Sequence, residues 1–472
     1  MAFSLRLSYA LVPLLAACST GGTDPPRRDL SVAVDAGQLD AKMPGLATAC
    51  GPRTAPVRLS NLPGEHQYPR VSFTGTSYLV AWNTETVEQT GLVNRIDAQL
   101  VDGDGQKLGP NLPMSPSSIA DQSPPSVAPV TNGTAIAWAR RDGKGSTNIV
   151  LSTLDNNGQK LSSTGAACLP DKEDCGIVEV TDSGRATYPY LGRPVLTERT
   201  AVPTDNVVSL AWLDTRNYPC PPQGCLNLND VYWKKLQAGG TELIPERRLT
   251  PVGANRRHAN PRMAFDGASS GVVYRDDTAV LYTDFYFTAV DLVGLVSTSP
   301  TKIGSAAGKG LQVGGPDMIY ADSAYALVSI AGSTGSANVV FQRLQSNGQS
   351  ALLPRGVSFT GIACTPTVAF NGEFYGIAWQ TDCSLAGSAL AFVLVDKQGV
   401  RMKADGTSCI GSFDDTCGVQ IIVPAEAGLS SFPELVWSGN SNFGLVWMER
   451  QGREAGQADA NVMFTEIDCK AL

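Results

Sequence analysis

The chain repeats one short pattern of apolar and polar residues that is typical of a β-hairpin. In the first copy, Pro69 is followed by apolar side chains at Val71 and Phe73, then by a turn at Gly75 and an apolar run that ends at Trp82. Apolar residues at every second position indicate a strand with one buried face, and a more continuous apolar run indicates a strand buried on both faces. The glycine between the two runs is typical of a tight turn. This copy therefore predicts two antiparallel strands.

The pattern returns six times, and the spacing from the proline to the last position is nearly constant. It is 13 residues in five of the seven copies, 14 in the last and 23 in the third, which indicates a ten-residue insertion in the third copy. A second turn that ends in glycine follows in most copies, as at residues 101–105, 154–158, 344–348 and 395–399. Each unit therefore predicts four strands. The six further copies are Pro125 to Trp138, Pro189 to Trp212, Pro261 to Tyr274, Pro316 to Ser329, Pro366 to Trp379 and Pro433 to Trp447.

Four-stranded units of this size, repeated in one chain, resemble the blades of a β-propeller. The sequence thus predicts an all-β fold over residues 50–472, a seven-bladed β-propeller of four-stranded antiparallel blades. The last copy ends before a fourth strand, and a spare strand at residues 56–60 precedes the first copy. We expect this N-terminal strand to complete the last blade, because the closed ring then leaves no open sheet edge. The Gly-His and Trp-Asp marks of WD40 repeats and the Asp-box of sialidases are absent, so the resemblance extends to no single propeller family.

The first residues have the layout of a secretory signal. A charged end at Arg6 is followed by an apolar run at residues 7–17, which is too short to span a membrane. The segment Leu15-Ala16-Ala17-Cys18 resembles the lipobox of bacterial lipoproteins. That resemblance implies removal of residues 1–17 as a signal peptide and acylation of Cys18, including palmitate-type chains.

The resemblance also carries an expectation about location. Ser19 stands where an Asp would retain a Gram-negative lipoprotein at the inner membrane, so we expect a lipid-anchored protein of the cell envelope at the outer membrane. Residues 18–49 are rich in Gly, Pro, Asp and Ala and are predicted to be a lipidated flexible tether. The membrane is thus one expected partner, through the anchor.

Ten of the 11 cysteines remain after Cys18 is assigned to the lipid. An even number in an exported protein indicates disulfides, and the short separations suggest which residues pair, although spacing alone does not fix the connectivity. A zinc site is the alternative, but the chain lacks Cys-x-x-Cys and has only two His. The suggested pairs are Cys50–Cys469, Cys168–Cys175, Cys220–Cys225, Cys364–Cys383 and Cys409–Cys417.

The formal net charge is −8 and no basic stripe is present, so nucleic acid is not an expected partner. No motif predicts a cofactor or a metal. The segment Asp102-Gly103-Asp104-Gly105 has some likeness to a calcium loop, but it coincides with the second turn of a blade and lacks the later acidic ligand. The propeller is expected to be monomeric.

Loops at one face of a propeller usually carry its ligand site, namely the loops before each first strand and after each second strand. Their charged residues either pair with neighbouring blades or form a mouth for a carboxylate or phosphate. We expect a binding or scaffold module for an unknown protein or glycan; the alternative is an exported glycan-active hydrolase or lyase. The alternative needs two facing carboxylates, for which Asp214, Asp276 and Glu449 are candidates. The possible ligand face comprises His66, Arg140, Asp214, Arg216, His258, Asp276 and Glu449.

Overall fold

The computed structural model places the hydrogen-bonded strands of the chain between Cys50 and Cys469. The predicted signal segment, Cys18 and the predicted tether lie outside the described residues. The description covers residues 50–469 apart from residues 62, 89–90, 117–122, 132, 142–146, 170–171, 173, 182–194, 199–205, 219–227, 253–255, 279–281, 308–314, 334–335, 359–361, 384–387, 404–406, 411–415, 426–427, 440–441 and 451–459.

The strands form seven antiparallel sheets arranged in a ring, as the sequence predicts. Within six of the sheets the strands follow one another in chain order, and no α-helix occurs among the described residues. Blade 1 comprises Glu65–Phe73, Tyr78–Glu88, Gly91–Val101 and Lys107–Pro113. Blade 2 comprises Ser126–Val130, Gly133–Arg141, Thr147–Asp155, Lys160–Leu161 and Val178–Glu179. Blade 3 comprises Val195–Glu198, Val207–Asp214, Asp230–Gln237 and Glu242–Arg248.

The other four blades repeat this order, and blade 7 takes its outer strand from the start of the propeller. Blade 4 comprises His258–Phe265, Ser269–Asp276, Tyr282–Asp291 and Val296–Ala307. Blade 5 comprises Asp317–Ala321, Ala324–Ser333, Ser336–Leu344 and Ser350–Gly356. Blade 6 comprises Cys364–Phe370, Tyr375–Gln380, Leu390–Val395, Arg401–Met402 and Gln420–Val423. Blade 7 comprises Leu429–Trp437, Asn442–Arg450 and Ala460–Cys469, completed by Cys50–Pro52 and Val57–Arg58.

The N-terminal segment closes the ring. Cys50–Pro52 and Val57–Arg58 both pair antiparallel with Ala460–Cys469, so the closing strand has two pieces and begins earlier than the single strand expected at residues 56–60. Their register places Cys50 opposite Cys469, and a disulfide joins the two. The last blade thereby gains its fourth strand, and the third strand of that blade is no longer an open edge.

The third copy of the repeat begins later than the spacing suggested. Val195 pairs with Ala211, as Arg70 pairs with Ala81 in blade 1, so the residue that corresponds to the repeat proline is Pro194. Both Pro189, which the sequence pattern favoured, and Pro194 lie outside the described residues, and the assignment rests on the register of Val195. The insertion in this hairpin is therefore about half as long as expected. The prediction was wrong because it started the repeat at Pro189, five residues earlier.

Four of the five suggested disulfides are present in the described part of the chain. They are Cys50–Cys469, Cys168–Cys175, Cys364–Cys383 and Cys409–Cys417, whereas Cys220 and Cys225 lie outside it. The bonds at Cys168–Cys175 and Cys409–Cys417 each lie in a loop that divides the outer strand of a blade into two short pieces. They pin these loops close to their blades.

The hydrophobic core is divided among the interfaces between adjacent blades. Each of seven buried clusters joins two adjacent blades, including one that joins blades 7 and 1. The repeat aromatic residue of the second strand, such as Trp82 or Trp447, is fully buried in such a cluster. Burial of both faces of the second strand explains why its sequence is continuously apolar.

Close packing between blades predicts a sharp effect of one added methyl group. A Cβ at Gly444 in blade 7 would lie 2.5 Å from the Tyr78 ring of blade 1, whereas a Cβ at Gly103 would meet nothing within 4 Å. We expect Gly444→Ala to lower the free energy of unfolding by about 1–3 kcal/mol, as overpacking of a core does. Gly103→Ala is the control and should change it by less than about 0.5 kcal/mol. Equal denaturation midpoints for the two variants would contradict this packing.

Candidate ligand face and central channel

The first strands of four blades share an unusual bulge beside the central channel. In blades 1, 4, 6 and 7 the ladder shifts register by one residue just before the repeat proline. The residue before that proline has a φ between 45° and 54°, which is uncommon outside glycine. Because the four positions are equivalent, this bulge is a regular feature of the inner strands. The residues are Tyr68, Asn260, Thr365 and Phe432.

Two of these bulge residues meet between neighbouring blades. The rings of Tyr68 in blade 1 and Phe432 in blade 7 pack edge to face, with centroids 4.7 Å apart. Both side chains are partly exposed. They form an aromatic contact at the end of the ring where the first strands begin. We call this end of the ring the upper face. The opposite end, where the third strands end, is the lower face.

A cluster of charged residues crosses the channel next to the bulges, at the positions that directly follow the repeat prolines. Arg70 in blade 1 forms an ion pair with Glu434 in the adjacent blade 7. Arg262 in blade 4 also approaches Glu434, at 3.8 Å from Nη2 to Oε2. Blades 4 and 7 are not neighbours in the ring, so this second contact spans the channel axis. We call Arg70, Arg262, Asp317 and Glu434 the channel cluster.

Asp317 of blade 5 completes this cluster. Its carboxylate lies 3.6 Å from Nε of Arg262 and accepts hydrogen bonds from the Thr367 hydroxyl, at 2.9 Å, and from the Val368 backbone N–H, at 3.0 Å. The cluster thus joins two arginines to two carboxylates, which balances the charge.

Arg70 is the most buried member, at 4 % exposure. Burial lowers the pKa of its guanidinium and the nearby Arg262 lowers it further, while Glu434 and Asp317 act in the opposite direction. Because a buried cation is costly without a partner, the two carboxylates hold the arginines in the channel.

His66 lies inside blade 1 and is almost fully buried. Its Nδ1 lies 3.0 Å from the Thr84 hydroxyl oxygen and 3.2 Å from the Trp82 indole nitrogen. The Thr84 hydroxyl in turn donates to Asp97, at 2.6 Å. His66 therefore belongs to a hydrogen-bonded chain that ties the first strand of the blade to its second and third strands.

His258 has a comparable position in blade 4, in a separate network. Its Nδ1 lies 2.6 Å from the Asn229 carbonyl oxygen, and its ring packs edge to face against Tyr274. Burial lowers the pKa of this imidazole, which outweighs the backbone hydrogen bond and the nearby carboxylates. His258 is thus held neutral in the folded protein.

The lowered pKa of His258 predicts an acid-dependent loss of stability. Its folded pKa is below the unfolded value near 6.5, so unfolding takes up a proton in acid. The corresponding stability is complete above about pH 6.5 and is lost as the pH falls through the folded pKa. We expect His258→Gln to reduce the fall in unfolding free energy between pH 7 and pH 5, measured by urea denaturation. An unchanged pH profile in the variant would contradict this.

Asp214 and Arg216 form a tight pair at the upper end of blade 3. The Arg216 Nε donates to Asp214 at 2.8 Å, its guanidinium also pairs with Glu246, and it lies over the Tyr232 ring. Asp214 is buried and also accepts a hydrogen bond from the Trp212 indole, at 3.2 Å. Both charges are therefore occupied inside their own blade.

Asp276 and Glu449 occupy the same position in blades 4 and 7, two residues after the repeat aromatic. Asp276 pairs with Arg256, and Thr278 donates to it from the backbone at 3.0 Å. Burial alone would raise the pKa of Asp276, but the hydrogen bonds from Thr278 and Arg256 outweigh this, and the pKa is lowered. Glu449 is buried and accepts from the Trp447 indole at 3.5 Å.

Arg140 of blade 2 points its charge towards the insertion that carries a disulfide. It lies 3.4 Å from Glu179 and 3.6 Å from Asp174. The candidate ligand-face residues are thus distributed over blades 1, 2, 3, 4 and 7. The ion pairs of Arg140, Asp214, Arg216 and Asp276 described above stay within their own blades or the loops attached to them.

The channel cluster contains residues that sequence reasoning did not single out. All four follow the repeat proline directly, and polar residues at that position in most copies were the available signal. The apolar positions two and four residues after the proline carry the stronger signal, because their alternation predicts the strand.

A cavity of about 240 Å³ lies at the lower face, where the N-terminal segment meets blades 7 and 1. Arg53 bridges Asp104, at 2.8 Å, and the buried Glu466, at 3.0 Å, across one wall. The Tyr78 hydroxyl also donates to Glu466, and burial together with this hydrogen bond raises the pKa of Tyr78. These contacts fasten the closing segment to the ring.

Within residues 50–469, as far as they are described, no three His, Cys, Asp or Glu side chains are grouped as metal ligands. The same part of the chain has no helix long and apolar enough to cross a membrane.

Comparison with known proteins gives structural neighbours and no family. No protein-family model matches the chain, and no curated protein matches it. Similar solved structures include the NanB sialidase of Streptococcus pneumoniae, at 10% identity and a TM-score of 0.44, covering 89% of this chain and 70% of that chain. A Trypanosoma rangeli sialidase mutant is 8% identical with a TM-score of 0.46, covering 89% and 59%. An α-L-arabinofuranosidase from Lactobacillus brevis is 11% identical with a TM-score of 0.32, covering 60% and 90%.

Proposed function

We propose that the chain is a lipid-anchored binding or scaffold module of the cell envelope, held at the outer membrane through Cys18. In this proposal the upper face of the propeller presents its loops to a protein or glycan. The main support is that charged residues of this face are already engaged in ion pairs. Arg216 and Asp276 are engaged in ion pairs inside their blades, and the channel below is crossed by the Arg262–Glu434 contact. A rigid face of this kind suits recognition by its outer loops.

The upper face also carries exposed charges that suit recognition. Arg141 at the end of a second strand and Arg257 before a first strand are both exposed. We expect a tagged wild-type chain, cross-linked in cells, to capture envelope components that Arg141→Glu/Arg257→Glu no longer captures. Glu373→Arg on the lower face is the control and should capture them normally. Identical capture by all three proteins would contradict recognition through the upper face.

The anchor is tested separately. Growth with labelled palmitate should label the wild-type chain and leave Cys18→Ala unlabelled, and the variant should leave the membrane fraction. An unlabelled wild-type chain would contradict the lipid anchor.

The alternative function, an exported glycan-active hydrolase or lyase, is supported by one specific observation. Asp317 and Glu434 both lie within 4 Å of the Arg262 guanidinium, so two carboxylates are close together in the channel. Asp214, Asp276 and Glu449, the earlier candidates for such a pair, are buried in three different blades. Against this alternative, both channel carboxylates are already engaged by the guanidinium groups of Arg70 and Arg262.

A further inference from the structure

One turn on the lower face differs sharply from its equivalents in the other blades. The turn between the third and fourth strands reads Asp-Leu-Val-Gly-Leu in blade 4, at residues 291–295. The equivalent turns read Asp-Gly-Asp-Gly-Gln, Asp-Asn-Asn-Gly-Gln, Gln-Ala-Gly-Gly-Thr, Gln-Ser-Asn-Gly-Gln and Asp-Lys-Gln-Gly-Val. Blade 4 alone among these six has three large aliphatic side chains in the turn.

The aliphatic side chains of this turn face solvent. Leu292, Val293, Leu295 and the following Val296 are 37%, 68%, 63% and 42% exposed. The backbone is the same as in the other turns: Gly294 N–H donates to the Asp291 carbonyl at 3.1 Å, and Asp291 N–H to that of Leu295 at 2.9 Å. The geometry of the turn therefore needs none of these side chains, and their exposure has a free-energy cost in water.

The turn is also held firmly in place. The Asp291 carboxylate accepts hydrogen bonds from the backbone N–H groups of Val293, at 3.0 Å, and Leu295, at 2.8 Å. A Cβ on Gly294 would lie 2.5 Å from Ile244 of blade 3, so the turn packs directly on its neighbour. Leu243, next to Ile244 in blade 3, is also 43% exposed. We call residues 292–296 the apolar corner.

The apolar corner lies on the face where the chain enters the propeller. Cys50 pairs with Cys469 at the end of the third strand of blade 7, and the apolar turn follows the end of the third strand of blade 4. About 30 residues separate Cys18 from Cys50, and a tether of that length, if it behaves as a random coil, would span roughly 30 Å on average. An acylated Cys18 would therefore keep the lower face close to the bilayer.

The shape and charge of the corner favour a lipid surface over a peptide. It is the convex tip of a hairpin rather than a groove, and it carries aliphatic side chains that can enter the headgroup region. The Asp291 charge is occupied within the turn. Because the chain has a formal net charge of −8, a neutral lipid surface suits it better than an anionic one.

We propose that the apolar corner inserts into the interfacial region of a neutral lipid bilayer and sets the orientation of the propeller on the membrane. This proposal rests on the proposed function for its anchor, but the contact itself needs no acyl chain. The lower face then lies against the bilayer, and the upper face with its loops is turned away from it.

The test uses the unacylated chain from Ser19 to Leu472, which contains all seven blades and both ring-closing pieces. It is floated with vesicles of phosphatidylcholine and phosphatidylethanolamine. The decisive variant, Leu292→Ser/Val293→Asn/Leu295→Gln, gives blade 4 the central turn residues of blade 5. Since that sequence already forms the same turn in this protein, the variant should melt like the wild type. Leu353→Ser, at a 73% exposed leucine on the outer strand of blade 5, is the matched control.

We expect the triple variant to partition onto vesicles at least about tenfold less than the wild type, and the control to stay within about twofold. No partition of the wild-type chain at millimolar lipid, or equal partition of wild type and triple variant, would overturn the lipid contact. Self-association that is abolished by the triple variant, without vesicle binding, would also overturn it and assign the corner to a second copy. Palmitate labelling of Cys18 is read independently, so failure of the anchor and failure of the contact give different results.

Discussion

Removal of the Cys50–Cys469 disulfide, in Cys50→Ala/Cys469→Ala, should lower the free energy of unfolding by about 4–5 kcal/mol. This bond joins residues separated by 419 positions, and it attaches the outer strand of blade 7 to the strand beside it. Breaking it increases the conformational freedom of the unfolded chain and also frees the end of the strand that closes the ring. The measurement is guanidinium denaturation of the oxidised wild type and the double variant.

The disulfide Cys409–Cys417 supplies the matched control, since it also joins two buried cysteines but spans only eight positions. Cys409→Ala/Cys417→Ala should cost about 2–3 kcal/mol, because a short loop loses less entropy on closure. Limited proteolysis should in addition cleave near residues 53–60 in the first variant only. Equal losses in the two double variants would mean that ring closure adds nothing beyond a local cross-link.

Glu434→Gln should lower the free energy of unfolding by about 3–5 kcal/mol, because it leaves two largely buried arginines short of their shared carboxylate. Glu434 pairs with Arg70 and approaches Arg262 from across the channel. Glutamine keeps the size of the side chain and removes only the charge. Urea denaturation of the purified chain gives the loss directly.

The control for this variant is Glu65→Gln, which breaks the Glu65–Arg450 pair of blades 1 and 7. Both side chains of that pair are about one-third exposed, so its removal should cost less than about 1 kcal/mol. Similar losses for Glu65→Gln and Glu434→Gln would show that the channel cluster is as well hydrated as a surface ion pair.

The sequence predicts the propeller well because its blades are local structures. A hairpin such as that from Pro69 to Trp82 is specified by residues close together in the chain, so its pattern survives in each copy. The third copy shows the limit of this reasoning. An insertion separates its two strands, and only the pairing of Val195 with Ala211 identifies which proline belongs to the repeat.

The channel could not be predicted in the same way. Arg262 and Glu434 lie on blades that are distant in sequence and not adjacent in the ring, and only ring closure brings them together. Conversely, the two histidines of the chain are both buried away from the channel cluster: His66 contacts Thr84 of its own blade, and His258 contacts Asn229 of the adjacent blade 3. A titratable residue near the end of a strand does not reveal whether it faces the channel or the adjacent strand.

The most direct test of the proposed binding function is a turnover assay with a panel of glycans and peptidoglycan fragments. The release of reducing ends by the wild-type chain is compared with release by Glu434→Gln and Asp317→Asn, each confirmed to be folded. A binding module whose channel carboxylates are held by Arg70 and Arg262 predicts no release above that of the two variants. Release by the wild type that disappears in either variant would contradict it and establish the channel as a catalytic site.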